Sequence, residues 1–352
     1  MDKKKLITSL VFIIIVGAVI ISLTVSKKSY AVGITLVDTV KALNKGSSWS
    51  AGASGVYYTN SHEYRYIGAE VNNYVKFNND LYRIIGVFDS NSHGVSGTEM
   101  VKLIRARTLG GSSWGVYNTD NSAGKYSGYT NDWTGKSTTS KANLNVLLNE
   151  YFYNKTSTSS TYGDCAKWTY YDGSTYYGYT TKDCSDIIVY GIDSSLRGYI
   201  EITTWHLNGS GTAQSKQNWY LCERGGNSCT PSGPNQGDAS VTSKMGLMYL
   251  SDYLYASGYY SSADTATQSD NWDYGNKNWL YKGYEWTITP FASGADRVWF
   301  VNYGYAGSAG NEPSKEPYGW RPTFYLKSSV YVTGGNGSFD NPYTIACDNC
   351  TE

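Results

Sequence analysis

Leu6 to Val25 is an uncharged, apolar run of twenty residues, placed directly after Lys3, Lys4 and Lys5. At about 1.5 Å per residue, a helix of that length reaches roughly 30 Å, the thickness of a bilayer core. Such a run belongs in a membrane or in a signal segment, and the rest of the chain must then fold beyond it. The basic residues within 1–5 favour a cytoplasmic start. Lys27 and Lys28 weaken this asymmetry without reversing it. Ser29-Tyr30-Ala31 has the small-residue spacing of a cleavage site after Ala31. The run is longer than a typical secretory h-region, so an uncleaved single-pass anchor with an extracellular C-terminal domain is expected, and secretion after cleavage is the alternative.

The remainder is long enough for a large core. The 352 residues have zero formal net charge and include 35 Tyr, 38 Gly and 11 Trp, with 16% charged residues. This aromatic load argues against a disordered chain. The absence of excess positive charge argues against nucleic acid, which demands clustered Lys and Arg. Many glycines and little charge exclude a long helical rod. An α+β domain rich in strands remains.

Residues 26–61 read as a Ser/Gly-rich stalk, 62–346 as a single extracellular domain and 347–352 as a Cys-x-x-Cys tail. Tyr74 to Phe77 and Leu81 to Phe88 read as a hairpin around Asn78-Asn79-Asp80, and Met100 to Arg107 as a central third strand. Two helices are predicted. Ser140 to Tyr153 carries a stripe of Leu144, Leu147, Leu148, Tyr151 and Phe152, with Thr139 or Ser140 as cap. Asp193 to His206 repeats the spacing with Leu196, Tyr199, Ile200 and Thr203. A long Gly/Ser/Pro loop follows over 208–243, then a short strand at 246–250 and a short helix opened by Ser251-Asp252. Strands are expected at Glu285 to Thr289, Val298 to Tyr303 and Thr323 to Leu326.

Six cysteines suit an exported protein. Sequence alone does not choose among their pairings. Local pairing, Cys165 with Cys184, Cys222 with Cys229 and Cys347 with Cys350, is the simplest expectation.

Several segments carry a resemblance. Tyr66-Ile67-Gly68-Ala69, the run from Phe77 to Phe88, Gly246-Leu247-Met248-Tyr249 and the run from Gly319 to Ser328 resemble an uncharacterised family of exported Firmicutes/Mollicutes-type bacterial domains. This likeness spans roughly 62–346. Gly319-Trp320-Arg321 is remotely similar to the Gly-Phe-Arg ending of bacterial C-type-lectin-like domains, including formylglycine-generating enzymes. That resemblance implies a C-type-lectin-like α+β fold, in which a twisted antiparallel sheet is flanked by two helices and long irregular loops bear the ligand site. The paired catalytic cysteines of the enzyme have no counterpart here, so its activity is not implied.

No His-x-x-x-His or His-Glu-x-x-His spacing, nucleophile elbow, P-loop or dinucleotide fingerprint occurs in a suitable context. No catalytic residue is assigned. The segment Val298 to Glu312 runs from a strand into a Gly-rich loop and offers Asn302, Tyr303, Tyr305, Asn311 and Glu312, with Tyr318 beside them, as ligand-binding candidates. Tyrosine gives rigid contact area and keeps a hydroxyl for hydrogen bonding. Trp286, Trp299, Gly319, Trp320 and Arg321 are expected to be structural. No cofactor is implied. Calcium stays open at Asn311 and Glu312, with Asn131-Asp132 and Asp270-Asn271 as similar clusters, although the ion needs six or more oxygens. The function expected is a membrane-anchored bacterial cell-surface binding protein, adhesin- or receptor-like, whose partner is a cell-surface glycan or protein. The alternatives are an envelope glycan-processing enzyme with a carboxylate pair, and a structural, pilus-like component.

Overall fold

Asn78 and Asn79, with left-handed φ of 54° and 57°, turn the chain between Tyr74–Phe77 and Asp80–Phe88. Asparagine tolerates this conformation, and two in succession match the twist of the flanking strands. Phe77 pairs with Asp80, so the return strand begins one residue before the predicted Leu81. The computed structural model describes residues 33–112, 114, 117–118, 128–129, 131–135, 141–155, 168–170, 180–182, 184–212, 214–226, 229–231, 238–258, 277–302, 305–307 and 318–352.

Asp80–Phe88 organises an eight-stranded sheet. One edge pairs along its length with Met100–Arg105. The other edge is shared by Tyr74–Phe77 and Tyr64–Ile67. Gly55–Tyr58 extends the sheet beyond Tyr64–Ile67. Thr323–Tyr325 lies antiparallel to Met100–Arg105. The C-terminal hairpin, Tyr331–Gly334 with Tyr343–Ala346, joins through a parallel contact between Tyr343–Ala346 and Tyr74–Phe77. Ile84, Ile85, Val87, Phe88, Val101, Leu103 and Ile104 are all buried, so the two central strands are covered on both faces. A second, seven-stranded sheet contains Glu285–Pro290, Val298–Asn302, Tyr305–Gly307 and Gly319–Trp320. Trp286, Trp299 and Trp320 are buried, and the indoles of Trp286 and Trp299 donate to the carbonyls of Ser112 and Ser210. The architecture is therefore mixed α+β, dominated by sheet with few and short helices.

The N-terminal part of the described chain is folded rather than a stalk. Residues Ile34–Glu352 form one compact unit. The helix Leu36–Ala42 is capped by Thr35, whose hydroxyl accepts from the Asp38 amide at 3.0 Å, and it buries Leu36, Val37 and Val40. Thr35 bridges to Tyr331, tying this helix to the C-terminal hairpin.

The first predicted helix is present but shorter. It begins at Asn143 behind Ala142 and widens after Val146 into a π-helix over Leu147–Tyr153; the expected caps Thr139 and Ser140 lie outside the described residues. Leu144, Leu147, Leu148 and Phe152 are fully buried, each contributing roughly 2 kcal/mol of apolar transfer. The second predicted helix is mostly absent. Only Ser194–Arg197 is helical, and Thr203–His206 is a strand paired with Ser240–Ser243. β-Branched Ile202, Thr203 and Thr204 favour that pairing over a helix. The segment 208–243 is not loop throughout, because Lys216–Glu223 forms a helix capped by Ser215. Residues 246–250 form no strand; Gly246 makes a single bridge to Thr323, and the helix Leu250–Tyr255 follows. Two flanking helices of the predicted lengths are thus not both present.

Cys222–Cys229 and Cys347–Cys350 are disulfides. Cys165 lies outside the described residues, so the expected Cys165–Cys184 bridge does too. Among the described residues no helix is long and apolar enough to cross a membrane, and the run 6–25 lies outside them.

Candidate binding groove

Tyr74 and Arg83 are register partners in the first hairpin. Directly opposed residues share one face of a sheet. The Arg83 guanidinium carbon lies 4.4 Å from the Tyr74 ring centroid and 4.5 Å from that of Trp279. Arg83 Nε donates to Asn73 Oδ1 at 2.7 Å, Nη1 to the Trp279 carbonyl at 3.0 Å and Nη2 to the Val71 carbonyl at 3.3 Å. Burial is the main cause that lowers its pKa to about 10, and the charge of Arg321 acts in the same direction.

These residues line an open cavity of about 690 Å³ together with Tyr66, Tyr281, Lys282 and Phe339. Lys45, Glu70 and Asn72 add polar groups to its rim. Its size falls within the range of small-ligand sites. Two glycines hold its walls. Gly68 has φ of 117°, and a side chain there would meet the Ala53 carbonyl; its carbonyl accepts from the Trp279 amide at 2.9 Å. Gly337 has φ of 78°, and a side chain there would meet the Tyr343 ring and the Asn72 carbonyl. Its carbonyl accepts from the Tyr74 amide, two residues before Phe339, which sets its ring edge-on to Tyr74 at 5.5 Å. Phe339 is 57% exposed, an unusual placement for a large apolar ring.

Arg321 lies behind the same segment. Its guanidinium forks onto Glu285 at 2.6 and 2.7 Å and donates to the Leu280 carbonyl at 2.7 Å, while its Nη1 is buried without a partner. Lys282 sits nearby. Burial of its ammonium, then the charges of Arg321 and Arg83, bring its pKa down to about 8 against the opposing pull of Glu285.

A second cavity, of about 600 Å³, is lined by Asn60, His62, Asn91, His206, Tyr220 and Arg224 among others. Burial, followed by the charge of Arg224, lowers the His206 pKa to about 4, so the ring is neutral at pH 7. Near this cavity runs a buried charge network. Arg65 bridges Glu63 and Asp252 at 2.6 and 2.8 Å, and Lys102 meets the other Asp252 oxygen at 2.6 Å. Burial alone would raise the Asp252 pKa, but Lys102 and Arg65 outweigh it and hold the carboxyl at about 2. Glu223 accepts from the Ser251 amide and hydroxyl and from Thr289.

These carboxylates are held by internal partners. Among the described residues, Glu70 is the one carboxylate lining the larger cavity, and no Asp or Glu lines the second. Among the described residues, neither cavity thus presents the facing carboxyl pair that glycoside hydrolysis requires. Among the described residues no group of three or more His, Cys, Asp or Glu could hold a metal ion. Asn131 donates to the carbonyls of Gly294 and Arg297, and Asp132 Oδ1 accepts from the amides of Thr134 and Gly135, so both are engaged in holding loops.

The sequence-predicted ligand residues are described only in part. Asn302 and Tyr305 pair with each other in the hairpin Val298–Asn302 with Tyr305–Gly307. Tyr303, Asn311 and Glu312 lie outside the described residues, as does Asp270-Asn271. Tyr318 is half-buried, stacked on Tyr284 at 5.3 Å and packed against Trp286 and Phe300. Tyr318 lines neither cavity. The groove residues Tyr74, Arg83, Trp279, Lys282 and Phe339 were not singled out from sequence. The one signal for them is the Asn78-Asn79 turn, which fixes Tyr74 opposite Arg83.

No family model, curated protein or solved structure matches the chain.

Proposed function

We propose that this chain is a membrane-anchored bacterial cell-surface protein that binds carbohydrate in the groove between Tyr74, Trp279 and Phe339. The observation that carries this reading is an exposed phenylalanine and half-buried tyrosines beside Asn72, Glu70 and Lys45 in one open cavity. Aromatic faces pack on the C–H surface of a sugar, and neighbouring polar groups take its hydroxyls. The N-terminal apolar run supports the anchor. A C-type-lectin-like ancestry belongs to the same proposal and is supported by the Gly319-Trp320-Arg321 ending.

Full-length protein in detergent, applied to a glycan array, tests the reading. Saturable binding is expected to fall at least about tenfold in Phe339→Ala, whose ring is exposed, with the melting temperature unchanged. Absence of binding across the array, or binding indifferent to Phe339→Ala, overturns it. Capture of a protein ligand with no glycan binding replaces it by protein recognition.

A further inference from the structure

We infer that the groove selects an acidic carbohydrate, whose carboxylate or phosphate seats beside Lys282 and Arg83. This deepens the proposed carbohydrate reading and rests on it.

Arg83, Lys282 and Arg321 gather behind and beside the aromatic wall, and Glu285 is the carboxylate set against them. Glu285 is already bound by both arms of the Arg321 fork. Arg83 spends its three hydrogen bonds on neutral oxygens, and among the described residues neither it nor Lys282 bonds a carboxylate. Its contacts with Tyr74 and Trp279 stabilise the charge without neutralising it. At the rim, one cation, Lys45, and one carboxylate, Glu70, add no net formal charge. Among the described residues the floor therefore retains positive charge on Arg83 and Lys282 that no carboxylate pairs. Arg83 is buried, a buried charge without a counter-ion is costly, and an incoming anion would supply one. Arg321 Nη1, buried and unpartnered behind the same segment, points to the same deficit.

The ammonium of Lys282 faces Arg321, Arg83 and Glu285, and desolvation, followed by the charges of Arg321 and Arg83, brings its pKa down to about 8. An anion in the groove would reverse this by favouring the charged form. Anion binding and Lys282 protonation are then linked, and affinity declines as the pH rises through 8.

The experiment uses full-length protein in detergent and three probes: an oligogalacturonide, the same oligosaccharide fully methyl-esterified, and a poly(glycerol phosphate) chain. The ester keeps the shape and removes the charge. The acid is expected to bind at least about tenfold tighter than the ester at pH 7, with the ratio reduced at least about threefold at pH 9 and in Lys282→Met, where Arg83 alone keeps its charge. Methionine keeps the length of the Lys282 stem and removes only the ammonium, and an unchanged melting temperature of this variant confirms that the wall is intact. Tighter binding of the phosphate chain than of the acid keeps the anion site and assigns it to phosphate-bearing polymers. Equal binding of acid and ester overturns the inference and leaves the carbohydrate reading standing. No binding of acid, ester, phosphate chain or any array glycan overturns both.

Discussion

Trp279 holds Arg83 twice, by its ring at 4.5 Å from the guanidinium carbon and by its carbonyl at 3.0 Å from Nη1. One arginine thus fixes the segment after residue 277 against the first hairpin. Arg83→Ala leaves the side chain of Asn73 and the carbonyls of Val71 and Trp279 without this donor. Each buried orphan costs about 1–3 kcal/mol. A loss of about 3 kcal/mol is expected in denaturant unfolding, together with loss of ligand binding. A melting temperature equal to that of the parent would mean that the guanidinium is dispensable for the wall.

Asp252 faces two buried cations, so its removal is expected to be more damaging than the loss of an ordinary surface ion pair. Asp252→Ala strands Lys102 and Arg65 and is expected to cost about 3–5 kcal/mol. Its folded pKa of about 2 lies below the ordinary 3.8. The unfolded chain therefore takes up the proton first on acidification. The stabilisation is complete above pH 4 and is lost as the pH falls towards 2. Urea midpoints measured between pH 5 and pH 2 check the slope, which should flatten in Asp252→Asn.

His206 adds a second acid-sensitive step at higher pH. Its folded pKa of about 4 lies below the ordinary 6.5, so the unfolded chain binds that proton first. Stability contributed by the neutral ring is intact above pH 6.5 and declines between 6.5 and 4. His206→Gln should reduce the pH dependence in that window alone. An unchanged profile would show that the ring titrates normally.

Cys222 ends the helix Lys216–Glu223 in the core, and Cys229 returns the chain to it. Replacing both with serine is expected to cost about 2 kcal/mol, since the bridge closes a short loop. Hydrogen exchange should show faster opening of Lys216–Glu223, with protection of Met100–Arg105 retained. Uniform deprotection of both would instead mean that the bridge holds the whole unit.

Local chemistry made parts of this fold readable. The Asn78-Asn79 turn and the apolar runs at 81–88 and 100–105 encode a hairpin and a central strand without help from the rest of the chain. The helix expected over 193–206 fails because Thr203–His206 finds Ser240–Ser243, a partner distant in sequence that periodicity does not see. The helix Leu36–Ala42 had its signals, Thr35 as cap and an apolar stretch over 34–43, but the Ser/Gly-rich neighbours obscured them. Tyrosine proved hard to sort by sequence. Tyr82, Tyr249, Tyr253 and Tyr325 are core, whereas Tyr74 is half-buried in the groove. The groove itself is assembled from residues 43–56, 66–83, 278–282 and 339, so no local pattern marks it.

Tyr343–Ala346 pairs in parallel with Tyr74–Phe77, and Val330 and Tyr331 meet Leu36 and Thr35. As the chain is synthesised, the edge of Tyr74–Phe77 must wait for a strand made more than two hundred residues later. The same late hairpin delivers Phe339 to Tyr74. Completion of the sheet and completion of the groove are one event, so a truncated or half-folded chain displays no finished site, and ligand capture doubles as a readout of maturation.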